Sequence, residues 1–221
     1  MTNDDAVLLS FGDSLLLKSD LDLLAEPNWI NDKLIGFAYD PSLVQIIRFA
    51  GASDLQVLLD SLNLPTKQFV FVPVNDHSDT TQVGGMHWSL LVYVRSRQEF
   101  QHYDSSRGTN QAVAKKLMDK LQPFVQAPKG KLRFVEMDCS HQENSYDCGM
   151  FVLANTEHLI REFVECVSLG VGDVVNQQTV SDKRKHLAQL ITSLAKDSTE
   201  EERSINFCKG TDEAEPVTAT S

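Results

Sequence analysis

Apolar positions recur along this chain with two different periods. Spacings of three and four residues place Ile30, Leu34 and Phe37/Ala38 on one side of a stretch from Asn28 to Tyr39. The same spacing groups Leu55, Leu58, Leu59 and Leu62 within Ser53–Leu62, and Leu187, Leu190, Ile191 and Leu194 within Ser181–Lys196. It also groups Val113, Leu117, Leu121 and Phe124 within Asn110–Val125, where Asn110 is read as the capping residue. Each pattern predicts an amphipathic helix, and a fifth helix is expected from Cys148 to Cys166. The middle of the chain reads differently. Phe69–Val74 is a β-rich apolar run, His87–Val94 and Glu99–Asp104 flank the polar link Arg95–Gln98 as a hairpin, and Leu132–Glu136 makes a fourth strand. Strands gathered between helices predict an α+β domain with a central sheet flanked by helices.

Composition sharpens this picture at the C-terminus. From Asp197 to Ser221 there are seven acidic and two basic residues and only scattered apolar ones, too few to order the segment by burial. One domain spanning residues 1–197 and a disordered acidic tail at 198–221 are therefore expected. The whole chain of 221 residues carries 31 acidic and 20 basic side chains, a net charge of −11. This balance argues against a nucleic-acid partner, which would require a basic face, and suits a partner with a basic surface. Apolar runs stop far short of a membrane span, so no membrane partner is expected. The acidic start Met1–Asp5 lacks the basic-then-apolar layout of a signal peptide. Four cysteines without C-x-x-C spacing imply reduced thiols, and the expected location is the cytoplasm or nucleus.

The hairpin places chemistry at its open end. With a two- or four-residue loop, Ser89 lies opposite Asp104, and His87 becomes the diagonal neighbour of Asp104 on the same face. A one- or three-residue loop would break that parity. In the favourable register a carboxylate can orient an imidazole, as a nucleophilic triad requires. Separately, Cys148 follows the turn-rich run Gln142–Asp147 and opens a helical pattern. A thiol at a helix N-terminus gains from the dipole and the unpaired N–H groups, and an adjacent imidazolium favours the thiolate further. Gly149 is read as leaving open space beside the sulfur. The N–H of Cys148 and the amide of Gln142 are candidate oxyanion donors. Spacing alone leaves a second reading open, in which Cys148 is a small buried hydrophobe. That reading is kept for Cys139, Cys166 and Cys208. No metal site is expected, because Cys139, His141 and Cys148 lack a second ligand pair, and no cofactor is implied.

The segments Gly85-Met-His87-Trp88-Ser-Leu-Leu, His102-Tyr-Asp104-Ser and Gln142 through Asp147-Cys148-Gly149 together resemble the Ulp/sentrin-specific cysteine proteases, which are related to the adenovirus proteinase. The resemblance covers most of residues 7–196 and implies a papain-like α+β fold. Its catalytic implications are Cys148 as nucleophile, His87 as general base, Asp104 as the group that orients His87, and Gln142 in the oxyanion hole. It further implies that Trp29 and Trp88 form a narrow tunnel for a Gly-Gly tail and that Asp32 holds a basic residue near that tail. Within the family, Trp29–Ala38, Leu64-Pro65, the loop Asn75–Gly85 and Gln142–Tyr146 are most similar to the deneddylating members. The implied partners are the ubiquitin-like modifier of neddylation and its conjugates, cullin-type proteins among them, met by a monomeric enzyme.

One departure stands out. The stretch between Tyr39 and Leu64 is shorter than in such proteases by about a helix and a loop, with Asp40-Pro41-Ser42 at the join. Two alternatives accompany the deneddylase reading. One is a desumoylating protease of the same family, and the other is a catalytically silent module that only binds a modifier.

Overall fold

The computed structural model describes residues 6–12, 14–38, 52–77, 85–128, 130–165 and 170–210, with backbone only at 52–54, 58 and 199–210. Its centre is a four-stranded sheet in the order β3-β4-β5-β6. The strands are β3 (Phe69–Asn75), β4 (Trp88–Val94), β5 (Glu99–Tyr103) and β6 (Arg133–Glu136). β3, β4 and β5 pair antiparallel and β6 joins β5 in parallel, so the sheet is mixed. Alternation along β4 decides which core each residue enters. Leu90, Val92 and Val94 face one apolar cluster, and Leu91 and Tyr93 face the other. All five are almost wholly buried, because helices cover both faces of the sheet.

On one face lie α3 (Ala52–Asp60) and α4 (Gln111–Val125), whose Leu55, Leu59, Leu117 and Leu121 complete the smaller cluster. On the other lie α2 (Asp32–Ala38), α5 (Cys148–Glu165) and α7 (Gln177–Gly210). The short helices α1 (Lys18–Asp22) and α6 (Val171–Val174) complete the layers. A separate hairpin of β1 (Val7–Phe11) and β2 (Ser14–Leu17) packs Leu9 and Leu16 into the larger cluster.

The sheet and all five predicted helices are present, with shifted ends. α2 begins at Asp32 instead of Asn28, because Asn31 accepts the Leu34 N–H and starts the helix there. The β1–β2 hairpin has no sequence-based counterpart. Its two runs, Leu8-Leu9 and Leu15-Leu16-Leu17, are continuous in leucine and do not alternate. Tyr39, the join Asp40-Pro41-Ser42 and Cys166 lie outside the described residues.

Helix α7 departs most from the sequence reading. It begins at Gln177, four residues before the expected start, and its backbone stays helical to Gly210, past the point where the disordered tail was expected to begin. The run Thr199–Arg203 contains three consecutive glutamates and an arginine, all good helix formers, with no glycine or proline before Gly210. Residues 211–221 lie outside the described residues. Among the described side chains of α7, Val180, Arg184, Leu187, Ile191 and Ala195 are buried, and the sequence from Ser198 to Ser221 is too poor in apolar residues to add much to the core. Deleting residues 198–221 is therefore expected to shift the melting temperature by no more than about 2 °C. Differential scanning calorimetry checks this, and a loss of several degrees would mean that the removed turns pack on the domain.

Candidate active site

The register of β4 on β5 runs from Leu90 opposite Tyr103 to Val94 opposite Glu99, around a four-residue link Arg95–Gln98. The last link residue, Gln98, takes the left-handed conformation (φ 53°) that closes the turn. Extended outward, this register brings His87 and Asp104 together at the open end of the hairpin. His87 Nε2 donates to Asp104 Oδ1 at 2.6 Å, and both side chains are buried. That leaves Nδ1 for Cys148, the other group that acts on the imidazole.

Each member of this trio is fixed by several contacts. Asp104 Oδ1 also accepts the Ser106 N–H at 2.9 Å, and Oδ2 accepts the Asn110 N–H at 3.0 Å. The Asn110 side-chain amide donates to Val74 O at 3.2 Å and to His87 O at 3.1 Å. Asp76 Oδ1 accepts the N–H groups of Met86 and His87 at 2.7 and 3.1 Å. Asn110 is the N-cap residue of α4, as the sequence predicts, but its side chain makes no capping bond. It clamps both sides of the His87–Asp104 pair instead. Neither Asn110 nor Asp76 stands out by spacing, because their partners are backbone groups contributed by distant segments.

Electrostatics follow from these bonds. Burial alone would lower the pKa of His87, but the hydrogen bonds to Asp104 and Cys148, and their negative charge, outweigh it and push it up to about 9. Burial would raise that of Asp104, but the bonds from His87, Asn110 and Ser106 hold it below the usual carboxylate range. The histidine interactions thus stabilise the fold fully below its unfolded pKa of about 6.5 and are lost as pH rises through about 9. Those of Asp104 are present above the usual carboxylate range and are lost as pH falls through its lowered value. Between these limits His87 is held as an imidazolium beside Cys148.

Cys148 is the first residue of α5, buried at the N-terminus of an 18-residue helix. The space beside it is not open, contrary to the sequence reading of Gly149. A Cβ on Gly149 would lie 2.6 Å from Ile30 Cγ1 and 2.9 Å from Ile30 Cδ1. Glycine is required there because Ile30 packs against the first turn of α5. This contact brings the neighbour of Trp29 against the neighbour of Cys148. Trp29 is 43% exposed, unlike an ordinary core tryptophan, and Trp88 is half-buried against the larger core, opposite Asn75. Gly85, at the end of the loop before His87, has φ +101°, and a Cβ there would meet Asn75 Oδ1 at 2.0 Å.

Gln142 is half-buried and tied to the segment after Asp104. Its N–H donates to Ser105 O at 3.0 Å, its Oε1 accepts from Ser105 Oγ at 2.9 Å, and its Nε2 donates to Asn144 O at 2.6 Å. The amide group has a second hydrogen for another acceptor. Asp32 is exposed at the start of α2, where its Oδ1 accepts the Lys33 N–H. His102, a second buried histidine, bonds Glu136 through Nδ1 and Ser89 through Nε2, wholly inside the sheet layer. Among the described residues, no three His, Cys, Asp or Glu side chains are grouped to hold a metal.

A mixed sheet flanked by helices, with a thiol at a helix N-terminus facing an imidazole backed by a carboxylate, is the arrangement of a cysteine peptidase of papain-like type. The Ulp1 protease family, C-terminal catalytic domain, matches residues 54–199, and the chain belongs to that family. It is 38% identical over 211 residues to sentrin-specific protease 8 of Homo sapiens, covering 87% of this chain and 99% of that protein. It is 35% identical over 217 residues to NEDD8-specific protease 1 of Arabidopsis thaliana, covering 88% and 95%. The fold also matches the C-terminal Ulp1 protease domain solved in complex with Smt3, the yeast ortholog of SUMO. That match has a TM-score of 0.68 at 17% identity and covers 88% of this chain and 90% of that one.

Because Asp104 is what lifts His87, replacing it has a signed consequence. Asp104→Asn is expected to move the alkaline limb of the peptidase pH profile to lower pH and to reduce the maximal rate about 10²-fold or more. Rates measured across that limb check this, and an unmoved limb would show that the carboxylate does not set the histidine.

Proposed function

We propose that the chain is a deneddylase, a thiol peptidase that hydrolyses the bond after the C-terminal Gly-Gly of the ubiquitin-like modifier used in neddylation. The observation that carries the chemistry is the His87 imidazole, hydrogen-bonded to Asp104 and acted on by Cys148 at the start of α5. The substrate reading is supported by the similarity, over 87–88% of this chain, to sentrin-specific protease 8 and NEDD8-specific protease 1. Relatives named as SUMO proteases match at 17–18% identity, a likeness of fold.

In this reading the Cys148 thiolate attacks the terminal glycine carbonyl while His87 is protonated. On the same reading, the oxyanion so formed at the N-terminus of α5 takes the Cys148 N–H and the second amide hydrogen of Gln142 as its donors, which strengthen as charge develops. His87 then passes its proton to the departing amine, leaving a thioester. It next takes a proton from water, which attacks the thioester and releases the modifier and the thiol. Asp104 keeps Nε2 protonated, so that Nδ1 faces the reacting atoms. In this reading Trp29 and Trp88 line the approach to Cys148 and admit only a tail without side chains. Asp32, exposed beyond Trp29, meets a basic residue of the bound modifier. The net charge of −11 favours a partner with a basic face and makes association weaken with salt.

A panel of ubiquitin-like modifiers, each with a C-terminal fluorophore, tests substrate choice through kcat/KM. The neddylation modifier is expected to be cleaved at least ~10-fold better than ubiquitin or SUMO, a gap of about 1.4 kcal/mol. Preference for SUMO would replace this reading with desumoylation, and no cleavage of any modifier would leave a binding module.

A further inference from the structure

The most deeply buried ion pair described lies one residue before Cys148. Asp147 is wholly buried, and Arg184, reaching in from α7, is 1% exposed. Arg184 Nη2 and Nε donate to Asp147 Oδ1 at 2.6 and 3.2 Å, and Nη1 donates to Leu23 O at 2.9 Å. Asp147 Oδ2 accepts from Gln177 Nε2 at 2.6 Å and from Asn144 Nδ2 at 2.8 Å. Asn144 Oδ1 in turn accepts the N–H groups of Tyr146 and Asp147, which sets the turn into α5. The Tyr146 ring stacks 5.7 Å from the guanidinium.

Opposed electrostatic demands meet at this point. A carboxylate gains from the N-terminal end of a helix, but its charge disfavours a thiolate on the adjacent residue. A buried carboxylate must also be paired or it unfolds its surroundings. A guanidinium with two donors on one oxygen meets both demands. It neutralises the carboxylate and, through Leu23 O, ties the turn before Cys148 to the end of α1, while Gln177 adds a second bond to Asp147 from α7.

We propose that Arg184 is a positioning residue for Cys148: it cancels the negative charge of Asp147 and, with Gln177, holds the turn that aims the thiol at His87. The inference rests on Cys148 being the nucleophile. Among the described residues, the charged and titratable groups near the thiol include His87 with Asp104 behind it, Asp147 and Tyr146 on its own segment, and Arg184 from α7.

The test uses the full chain with Arg184→Met, Arg184→Lys, Asp147→Asn and the double variant Arg184→Met/Asp147→Asn. Alkylation of Cys148 by iodoacetamide is followed by mass spectrometry as a function of pH, beside kcat, KM and melting temperature. Arg184→Met is expected to move the acid limb of alkylation up by about half a pH unit or more, about 3-fold in rate on that limb. It should lower kcat more than it changes KM. Asp147→Asn is expected to move the limb the opposite way, the double variant to restore it, and Arg184→Lys to lie between. A limb unmoved in folded Arg184→Met, with activity falling only as stability falls, overturns the role. Where Arg184→Met does not fold, Asp147→Asn decides: a downward shift supports the role and an unmoved limb overturns it. The two readings fail separately. Full hydrolysis by Cys148→Ala sinks the proposed function, whereas an inactive Cys148→Ala with unmoved limbs elsewhere sinks only the inference about Arg184.

Discussion

The pairing of β4 with β5 is the constraint on which the site depends. A strand places alternate side chains on opposite faces, so a slip of one residue would turn His87 away from Asp104. The register is held from both ends. Gln98 closes the four-residue link in the left-handed conformation, and Asn110 bonds His87 O and Val74 O while its N–H holds Asp104. Burial makes the register costly to break, because Leu90, Val92 and Val94 would exchange cores with Leu91 and Tyr93. The short His87–Asp104 bond is thus set by sheet geometry, and the raised histidine follows from that bond.

The thiol arrives by a different route. α5 carries Cys148 on its first turn, and three separate segments meet that turn. Ile30 packs on Gly149 from the segment before α2, Gln142 links the approach to α5 with Ser105, and Arg184 and Gln177 grip Asp147 from α7. These contacts join the Trp29 segment, the carboxylate-bearing end of the sheet and α7 at one point. Such convergence pre-organises a nucleophile: the groups are ordered during folding, and little reorganisation remains for the reaction.

Much of this was legible in the chain itself. The spacing of Ser89 and Asp104 across a short polar link predicts the register found, and the turn-rich run before Cys148 predicts a helix start. What stayed hidden has a common physical cause. Asn110 and Asp76 act through backbone groups of other segments, and Arg184 finds Asp147 37 residues away. A buried arginine in an amphipathic helix reads locally as a solvated charge. Gly149 was misread for a similar reason, since the side chain that fills its space belongs to Ile30, far away in the chain. The hairpin β1–β2 escaped because its leucines run consecutively, and the full length of α7 because composition says more about burial than about helix propensity.

The most direct measurement is to trap the chain with the neddylation modifier bearing an electrophile in place of its terminal carboxylate and to locate the adduct by mass spectrometry. The account predicts a thioether on Cys148, formed rapidly in the native chain and far more slowly when His87 is replaced by Ala. An adduct on Cys139, Cys166 or Cys208, or labelling of Cys148 that is indifferent to His87, would contradict it.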